Sequence, residues 1–457
     1  MPDDQDNNNR EQDFPISVNS FSSKTEQMEK LVNFLVSNYQ EISRFPKEPG
    51  KQPVIGGREL KVYADWLEQV HTYFREASNR DLTLTLAAEW VLDNYYIIRQ
   101  ALLQIDEDLS AGFYKQLPKL AGGPLKGLPR IYAIGRSVLS FQNYLLNTID
   151  LQAIMIQVQE YVPLTMGELW ALPIFLRYSL IESLAHALEW IIRPQPFPDL
   201  PIFPPQLVGA GNPFSENQTS TGDTLAGGVV ANIILSLRAI SEQNWNDFFE
   251  AVSSLERTLR EDPAGIYPLM DFKTRDLYRK EIESLSFASG LEENELANIT
   301  LDLARESSIG NPNSAGIFSG SNRVESPPTD PQPHLGEYLL GKNRLILEQR
   351  IGYRPDAKKA LKRWGAQHAS AIYLGSIFLL SLLILGLISL KINLREMIQS
   401  GSPIQWISVL GLVIALLVPI LTVSASLANW LVTLRIKPRI LPKLNLMDGI
   451  PGPFRTL

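Results

Sequence analysis

The sequence predicts an all-α protein, a multi-helix cytoplasmic body followed by a two-helix transmembrane hairpin, and three observations support this. Apolar residues of the body recur at helical spacing, as in Leu86, Trp90, Val91, Tyr95 and Ile98. Alternating β-branched runs bounded by turn residues are scarce. Two long uncharged segments lie near the C-terminal end, where the formal charge also changes sign.

The amino-acid composition excludes several classes of functional site. The chain has 457 residues and no cysteine, which excludes disulfide frameworks, thiol nucleophiles, thiolate zinc sites and iron–sulfur clusters. The four histidines are too scattered along the chain to suggest a metal cluster. We therefore expect neither a metal site nor a cofactor in this chain.

The charge of the chain is unevenly distributed. From Arg354 to the last residue there are 12 basic and 3 acidic residues, a net charge of +9, whereas the residues before Arg354 carry −16. An acidic body argues against nucleic acid as a partner, because nucleic-acid binding requires a basic face on the folded part. The basic, apolar tail instead indicates that a lipid bilayer is the partner.

The body divides at two segments rich in Pro, Gly and Ser. In chain order, we predict a disordered N-terminus (1–20), a helical domain (21–192), a Pro-rich linker (193–222), a second helical unit (223–306), a flexible linker (307–333), and a juxtamembrane helix with a basic segment (334–368).

Residues 369–390 and 404–434 are the two predicted transmembrane helices. They contain no charged side chain and exceed the roughly 20 helical residues that span the hydrocarbon core of a bilayer. Trp406 and Trp430 lie near the ends of the second span, as in an interfacial aromatic belt, and Pro419 predicts a kink. Basic residues flank the pair on its outer sides, so the positive-inside rule predicts that both termini are cytoplasmic.

Three carboxylates are candidates for acid–base chemistry. Glu89 and Asp93 are four residues apart on one helix face, where burial beside Trp90 would suit one of them for proton transfer. The alternative, which we favour, is a structural hydrogen-bond network. Glu168 follows Thr165 by three residues, which is the spacing of a capping box and a sufficient structural explanation.

Three further charged stretches have structural interpretations. The sequence Asp106–Asp108 resembles the metal-binding Asp-x-Asp of many glycosyltransferases, but it ends a helical run with no buried strand before it, so a solvated face is favoured. Residues 271–279 predict a charged helix start with Asp271 as N-cap and a solvated face. Arg363 and Trp364 belong to a juxtamembrane basic patch.

The loop at 117–135 is the most unusual segment, with four glycines and three prolines between two helices. Glycine amides and basic side chains together can bind an anion such as a diphosphate, or a sugar carrying one. The candidate residues are Lys119, Gly122, Gly123, Lys126 and Arg130. The alternative is a rigid, closely packed turn between helices.

Several long strings occur in a specific order: AAEWVLDNYYIIRQ, FYKQLPKLAGGPLKGLPRIYAIG, PLTMGELWALPIFLR, SLERTLREDPAGIYPLMDFKTRDLYRKEIE and HLGEYLLGKNRLILEQRIGYRP. They resemble the N-terminal region of the cyclic β-1,2-glucan synthases, very large enzymes of the bacterial inner membrane. The resemblance covers most of residues 24–457. The chain departs from it at 193–222 and 307–333.

The resemblance implies an inner-membrane location and a glycosyltransferase domain that uses UDP-glucose. Residues 435–457 resemble the connector into that domain, so we expect this chain to be truncated before it, with the transferase domain encoded separately as a partner. The catalytic residues of the family would then lie outside this chain. No catalytic position is carried over to it.

Three hypotheses follow. The leading one is the N-terminal, membrane-anchoring part of a cyclic β-1,2-glucan synthase. The second is a standalone membrane-anchored helical scaffold that binds another protein. The third is an enzyme in its own right, with Glu89, Asp93 or Glu168 acting on a glucan.

Overall fold

The computed structural model describes residues 23–43, 55, 57–80, 82–193, 222–309, 334–353, 355, 357–391, 403–435 and 443–445. The predicted disordered N-terminus, nearly all of both predicted linkers, the loop between the spans and most of the connector at 435–457 lie outside the described residues. The described residues form 17 α-helices, one 3₁₀ helix and two strands of two residues. The predicted all-α fold is confirmed.

The elements follow one another along the chain. They are α1 (Lys24–Tyr39), β1 (Ile42–Ser43), α2 (Arg58–Asn79), α3 (Leu86–Asp108), α4 (Ala111–Gln116), β2 (Lys119–Leu120), α5 (Arg130–Phe141), α6 (Thr148–Tyr161), α7 (Met166–Ile192), α8 (Gly222–Glu242), α9 (Trp245–Val252), α10 (Ser254–Leu259), the 3₁₀ helix (Tyr267–Leu269), α11 (Phe272–Ser289), α12 (Glu293–Ile309), α13 (Leu335–Leu339), α14 (Arg344–Arg350), α15 (Ala357–Gln367), α16 (Ala369–Lys391) and α17 (Pro403–Arg435).

Local sequence explains where many of these helices begin. The first amides of a helix have no partner within it, and a short polar side chain at the N-cap accepts a hydrogen bond from them. This occurs at Ser23, Thr85, Ser110, Asn147, Thr165, Asn244, Ser253 and Asp271. The predicted N-cap role of Asp271 is confirmed.

The central element of the body is α7. All of its 27 residues are buried except Trp170 and Trp190, which are partly exposed. Six helices pack around it, namely α2, α3, α5, α8, α9 and α11. Because a long and mainly apolar helix must be shielded from water, these neighbours bury α7 on every face.

The helices on either side of residues 194–221 share one hydrophobic core. In α8, Ile233, Ile234 and Leu237 are buried, and the helix packs on α3 and α7. A second layer consists of α10 to α14, in which α12 contacts α10, α11, α13 and α14. By its packing, the helix that opens the second predicted unit therefore lies with the first.

Two apolar helices form a hairpin at the positions predicted for the spans. The helices α16 and α17 run antiparallel, because Tyr373 Oη donates to Asn429 Oδ1 at 2.9 Å and Ser381 Oγ donates to Ser424 Oγ at 3.0 Å. The windows Ala369–Ile388 and Ile414–Leu434 are long and apolar enough to cross a membrane. None of the first window is buried, in contrast to α7, which is consistent with a membrane protein.

Gly336 lies where α13 packs closely against the body, so a larger side chain at this position tests the packing. A methyl group at Gly336 would overlap Tyr278 Oη and lie 2.8 Å from the His334 ring, and Tyr278 is itself buried. Gly336→Ala should therefore lower the free energy of unfolding by about 1–3 kcal/mol, as overpacking does. Denaturant unfolding of the full chain in detergent measures this change.

Gly228→Ala is the matched control. Nothing lies within 4 Å of the added methyl group at this position in α8. Alanine is the better helix former, so this variant should be neutral or more stable by up to about 1 kcal/mol. Equal losses in the two variants would contradict the tight docking of α13.

Candidate functional site

The glycine-rich loop between α4 and α5 is closed by main-chain hydrogen bonds. Its strand β2 pairs antiparallel with β1. Gly127 N donates to Leu120 O at 2.9 Å, and Leu120 N donates to Leu128 O at 3.0 Å. Gly123 and Gly127 have φ values of 77° and 85°, a region that favours glycine. The loop is thus an ordered turn, with Gly122 and Gly123 exposed to solvent.

The three basic candidates of this loop have three different environments. Lys119 is buried, with its Nζ 4.9 Å from the centre of the Tyr114 ring, and burial lowers its pKa. Lys126 is exposed. Arg130 is buried and bonded elsewhere. Of the predicted anion-binding residues, the structure therefore leaves Gly122, Gly123 and Lys126 open to solvent.

Arg130 and Glu168, predicted for two different sites, bind each other. Arg130 Nε donates to Glu168 Oε1 at 2.8 Å, and Nη2 donates to Oε2 at 2.6 Å. The exposed fractions of the two side chains are 3% and 0%. Arg130 Nη2 also donates to Pro163 O at 3.0 Å. This bidentate pair joins the start of α5 to the start of α7, and it must open before either residue can act on a ligand.

The predicted capping box at the start of α7 is confirmed. Thr165 N donates to Glu168 Oε2 at 2.9 Å, and Thr165 Oγ1 accepts from Glu168 N at 3.3 Å. The next amide, Met166 N, donates to Glu293 Oε2 of α12 at 2.9 Å. Carboxylates from two helices therefore satisfy the positive end of α7.

The remaining predicted carboxylates are exposed on α3. Glu89 and Asp93 lie on the solvent side, so the burial that would suit either of them for acid–base chemistry is absent at both positions. Asn94 Nδ2 donates to Trp90 O at 3.0 Å. Asp106–Asp108 is exposed as well. Within the described residues, no group of three His, Asp or Glu side chains is placed to hold a metal ion.

A buried cluster of tyrosines and carboxylates between α2, α5 and α7 was missed by the sequence analysis. Tyr132 Oη donates to Glu182 Oε2 at 2.7 Å, and Tyr178 Oη donates to Glu59 Oε2 at 3.3 Å. Burial raises the pKa of Glu182, and the charge of Arg136 opposes this. The shift favours the protonated form of the Glu182 carboxyl.

One signal in the sequence could have revealed this cluster. Tyr178, Glu182 and His186 are spaced four residues apart, so they form a polar row along one face of the otherwise apolar α7. Burial, reinforced by the charge of Arg136, lowers the pKa of His186 to about 4. The imidazole is therefore neutral near pH 7.

The predicted solvated face at 271–279 is wrong for Arg279. This side chain is 0% exposed, and its Nη1 donates to Glu256 Oε2 at 2.7 Å. Its Cζ lies 5.0 Å from the Phe249 ring and 4.8 Å from the Phe272 ring. Tyr267 Oη also donates to Glu256 Oε2, at 2.7 Å. The charged pattern of the sequence therefore includes a buried ion pair between α10 and α11, enclosed by aromatic rings.

Asp262 fastens the start of α13 to the body. Its Oδ2 lies 2.8 Å from His334 Nδ1 and accepts from Tyr267 N at 3.1 Å, while Tyr278 Oη lies 3.1 Å from His334 Nε2. Burial alone would raise the pKa of Asp262. The hydrogen bonds from His334 and the main chain outweigh burial and hold this pKa below its ordinary value of 3.8.

The body contacts the chain just before the hairpin. Glu348 of α14 accepts from Arg344 Nε at 2.8 Å and from Arg363 Nη1 of α15 at 2.7 Å. Arg363, predicted to belong to a juxtamembrane basic patch, is therefore paired with a carboxylate of the body.

The body also contacts the chain just after the hairpin. Asp271 N donates to Lys443 O at 3.1 Å, and Asn445 N donates to Leu269 O at 2.8 Å. Leu444 forms an isolated antiparallel bridge with Met270 and packs against the core. Both flanks of the hairpin are thus fixed to one body.

Removing one partner of the Arg130–Glu168 pair should be costly. Arg130→Met or Glu168→Gln leaves the other charge buried without its counterion, which should lower the free energy of unfolding by about 3–5 kcal/mol. The double variant removes both charges, so its loss should be well below the sum of the two single losses. Denaturant unfolding of the full chain measures all three, with exposed Lys126→Met expected within about 0.5 kcal/mol of the parent. Additive losses would contradict the pairing.

Asp262 should provide stability that acid removes. Its folded pKa is depressed, so its contribution is complete above the unfolded pKa, near the ordinary value of 3.8, and is lost as the pH falls through the lower folded pKa. Asp262→Asn should therefore destabilise the chain at neutral pH and flatten the fall of stability between about pH 5 and pH 2. Unfolding at a series of pH values measures both effects. Parallel profiles for variant and parent would rule out this role.

The chain is similar in sequence to a known protein. No family model matches the chain. The chain is 28% identical over 431 residues to the curated Cyclic beta-(1,2)-glucan synthase NdvB of Rhizobium meliloti (strain 1021). The match includes 82% of this chain but 14% of that protein, so the chain spans a small part of the length of this relative. The chain is a relative of the cyclic β-1,2-glucan synthases.

Proposed function

We propose that this chain is the helical, membrane-anchoring part of a cyclic β-1,2-glucan synthase. Its role is to hold a glycosyltransferase domain that uses UDP-glucose at the cytoplasmic face of the bacterial inner membrane. The observation that carries this proposal is the attachment of both flanks of the hairpin to one body, through Arg363 and Glu348 before α16 and through Leu444 and Met270 after α17.

The geometry of the hairpin supports a location of both flanks on the same side of the bilayer. The contacts of Tyr373 with Asn429 and of Ser381 with Ser424 pair the early part of α16 with the late part of α17. Two antiparallel spans begin and end on the same side of a bilayer. The basic residues outside the pair favour the cytoplasmic side, because cytoplasmic flanks carry an excess of Lys and Arg.

The link before the hairpin is built to be stiff. The Glu348 side chain is 6% exposed and accepts hydrogen bonds from two guanidinium groups. Burial would raise the pKa of Glu348, but hydrogen bonds from Arg363 and Arg344 outweigh burial and lower it. Charge-assisted bonds to a buried carboxylate are stronger than neutral ones, so they hold α15 firmly to the body.

The candidate chemistry of the described residues supports a structural role. Arg130 and Glu168 neutralise each other. The Glu182 cluster lies inside the body between packed helices, and Glu89 and Asp93 are exposed to solvent. These positions suit a scaffold that supports a transferase domain, and we assign glucose transfer to that domain.

Breaking the contacts that attach the body to both flanks of the hairpin should reduce glucan synthesis. In membranes that carry the complete synthase, Glu348→Gln combined with Leu444→Asp should reduce glucan formation from UDP-glucose by about fivefold or more, the lower range of usual coupling between sites. The amount of chain in the membrane should stay the same. Incorporation of labelled glucose and quantitative immunoblotting measure the two quantities.

Arg350→Gln is the matched control for that variant. Arg350 forms an ion pair with Glu306 at 3.8 Å in which both side chains are mostly exposed, so its loss should leave synthesis unchanged.

Membranes from cells that make only residues 1–457 should incorporate no labelled glucose. Incorporation there would contradict our assignment of transfer to another domain, and co-purification with an unrelated protein alone would favour a scaffold of a different system.

A further inference from the structure

Residues 443–445 pair with residues 269–271 of the body as a short added strand. Two main-chain hydrogen bonds, of 2.8 Å and 3.1 Å, join the two segments. Between these bonds, Leu444 faces Met270 in an antiparallel bridge. Met270 and Asp271 are extended, with ψ values of 154° and 159°. The body therefore presents a short strand edge between the 3₁₀ helix and α11.

One hydrogen bond of a regular strand pairing is replaced at this edge. Residues that face each other in a hydrogen-bonded antiparallel pair exchange two bonds. Asp271 N donates to Lys443 O at 3.1 Å, so a regular pair would have Lys443 N donate to Asp271 O in return. Asp271 O instead accepts from Arg275 N at 3.0 Å, because Asp271 is the N-cap of α11. Lys443 N donates to Thr274 Oγ1 at 3.0 Å. The Thr274 hydroxyl thus takes the place of a main-chain acceptor where strand changes to helix.

The Thr274 side chain is itself held in place. The residue is 4% exposed in the first turn of α11, and its main-chain N donates to Asp271 Oδ1 at 2.9 Å. Because threonine is branched at Cβ, few side-chain rotamers are open to it. The start of α11 therefore holds both main-chain polar groups of Lys443. Since Lys443 is the first described residue after α17, this is the first described attachment to the body after the second apolar helix.

We propose that Thr274 is a positioning residue for glucose transfer, because its hydroxyl completes the pairing that places residues 443–445 on the body. This inference rests on the proposed function and adds the residue that fixes where the part of the protein after residue 445 begins. Under the proposed function UDP-glucose binds in that part, so Thr274 affects the placement of the bound substrate and not its affinity. Loss of the hydroxyl should therefore lower kcat and leave KM for UDP-glucose unaltered.

Two substitutions at Thr274 separate its hydroxyl from its shape. In membranes that carry the complete synthase, Thr274→Val keeps the branched shape but removes the acceptor of Lys443 N. It should lower kcat for glucan formation by at least about twofold, the low end of the factor that one net hydrogen bond represents. Thr274→Ser keeps the hydroxyl and should restore kcat. Incorporation of labelled glucose over a range of UDP-glucose concentrations measures kcat and KM, and immunoblotting gives the amount of synthase.

Thr300→Val is the matched control. Thr300 is 0% exposed in α12, and its Oγ1 donates to Leu296 O of the same helix at 2.8 Å. The substitution removes a buried threonine hydroxyl from the same body, but one whose hydrogen bond lies within a single helix. It should leave kcat unchanged even where it lowers the free energy of unfolding.

Amide hydrogen exchange of the 457-residue chain in detergent tests the placement directly. Asn445 N keeps its acceptor, Leu269 O, in every variant. If the Thr274 hydroxyl holds the strand, Thr274→Val should raise the exchange rate of the Asn445 amide by about twofold to tenfold, the increase in opening that one lost hydrogen bond produces. Thr274→Ser and Thr300→Val should leave this rate at the parent value.

Three results would overturn the role of Thr274. They are an unchanged Asn445 exchange rate in Thr274→Val, an unchanged kcat in that variant, and an equal fall of kcat in Thr274→Ser or Thr300→Val. This inference alone fails if Glu348→Gln combined with Leu444→Asp still reduces synthesis. If that double variant also leaves synthesis unchanged, the proposed function fails with it.

Discussion

The buried ion pair between Arg130 and Glu168 is the interaction on which the rest of the body depends. It connects the glycine-rich loop to the first turn of α7, the helix around which six others pack. Glu168 also completes the capping box with Thr165. A single carboxylate thus orients the guanidinium of α5 and accepts from the N-cap amide of α7. Removing either charge would leave the other buried and unpaired at the centre of the fold.

The second layer of helices is also held together by buried, hydrogen-bonded charges. Glu256 is fully buried and receives Arg279 and Tyr267, while Asp262 receives His334 and fastens the start of α13. Buried charges are tolerated only where hydrogen bonds replace water, and here they connect α10 to α11 and Asp262 to the start of α13.

The sequence predicted those features that local patterns encode. The two long apolar helices follow from unbroken apolar runs, and the capping box at Thr165 and the N-cap at Asp271 depend on residues within a few positions of one another. The ion pairs depend on partners that no local pattern specifies: Arg130 and Glu168 are 38 residues apart, and Tyr178 and Glu59 are 119 apart. Helical spacing shows which residues share a face, but it does not show which faces meet. For this reason Arg279 was assigned to solvent.

The attachment of the hairpin at both flanks has a mechanical consequence. A single flexible tether would let a membrane helix rotate and tilt relative to the body, because a loop constrains only distance. Here the ion pair of Arg363 with Glu348 constrains rotation before α16, and the main-chain bonds of Lys443 and Asn445 constrain the return after α17. Whatever follows residue 445 therefore begins from a fixed point on the body. Under the function proposed above, two attachments hold the part of the protein that follows at a constant distance from the hairpin, which one attachment would not do.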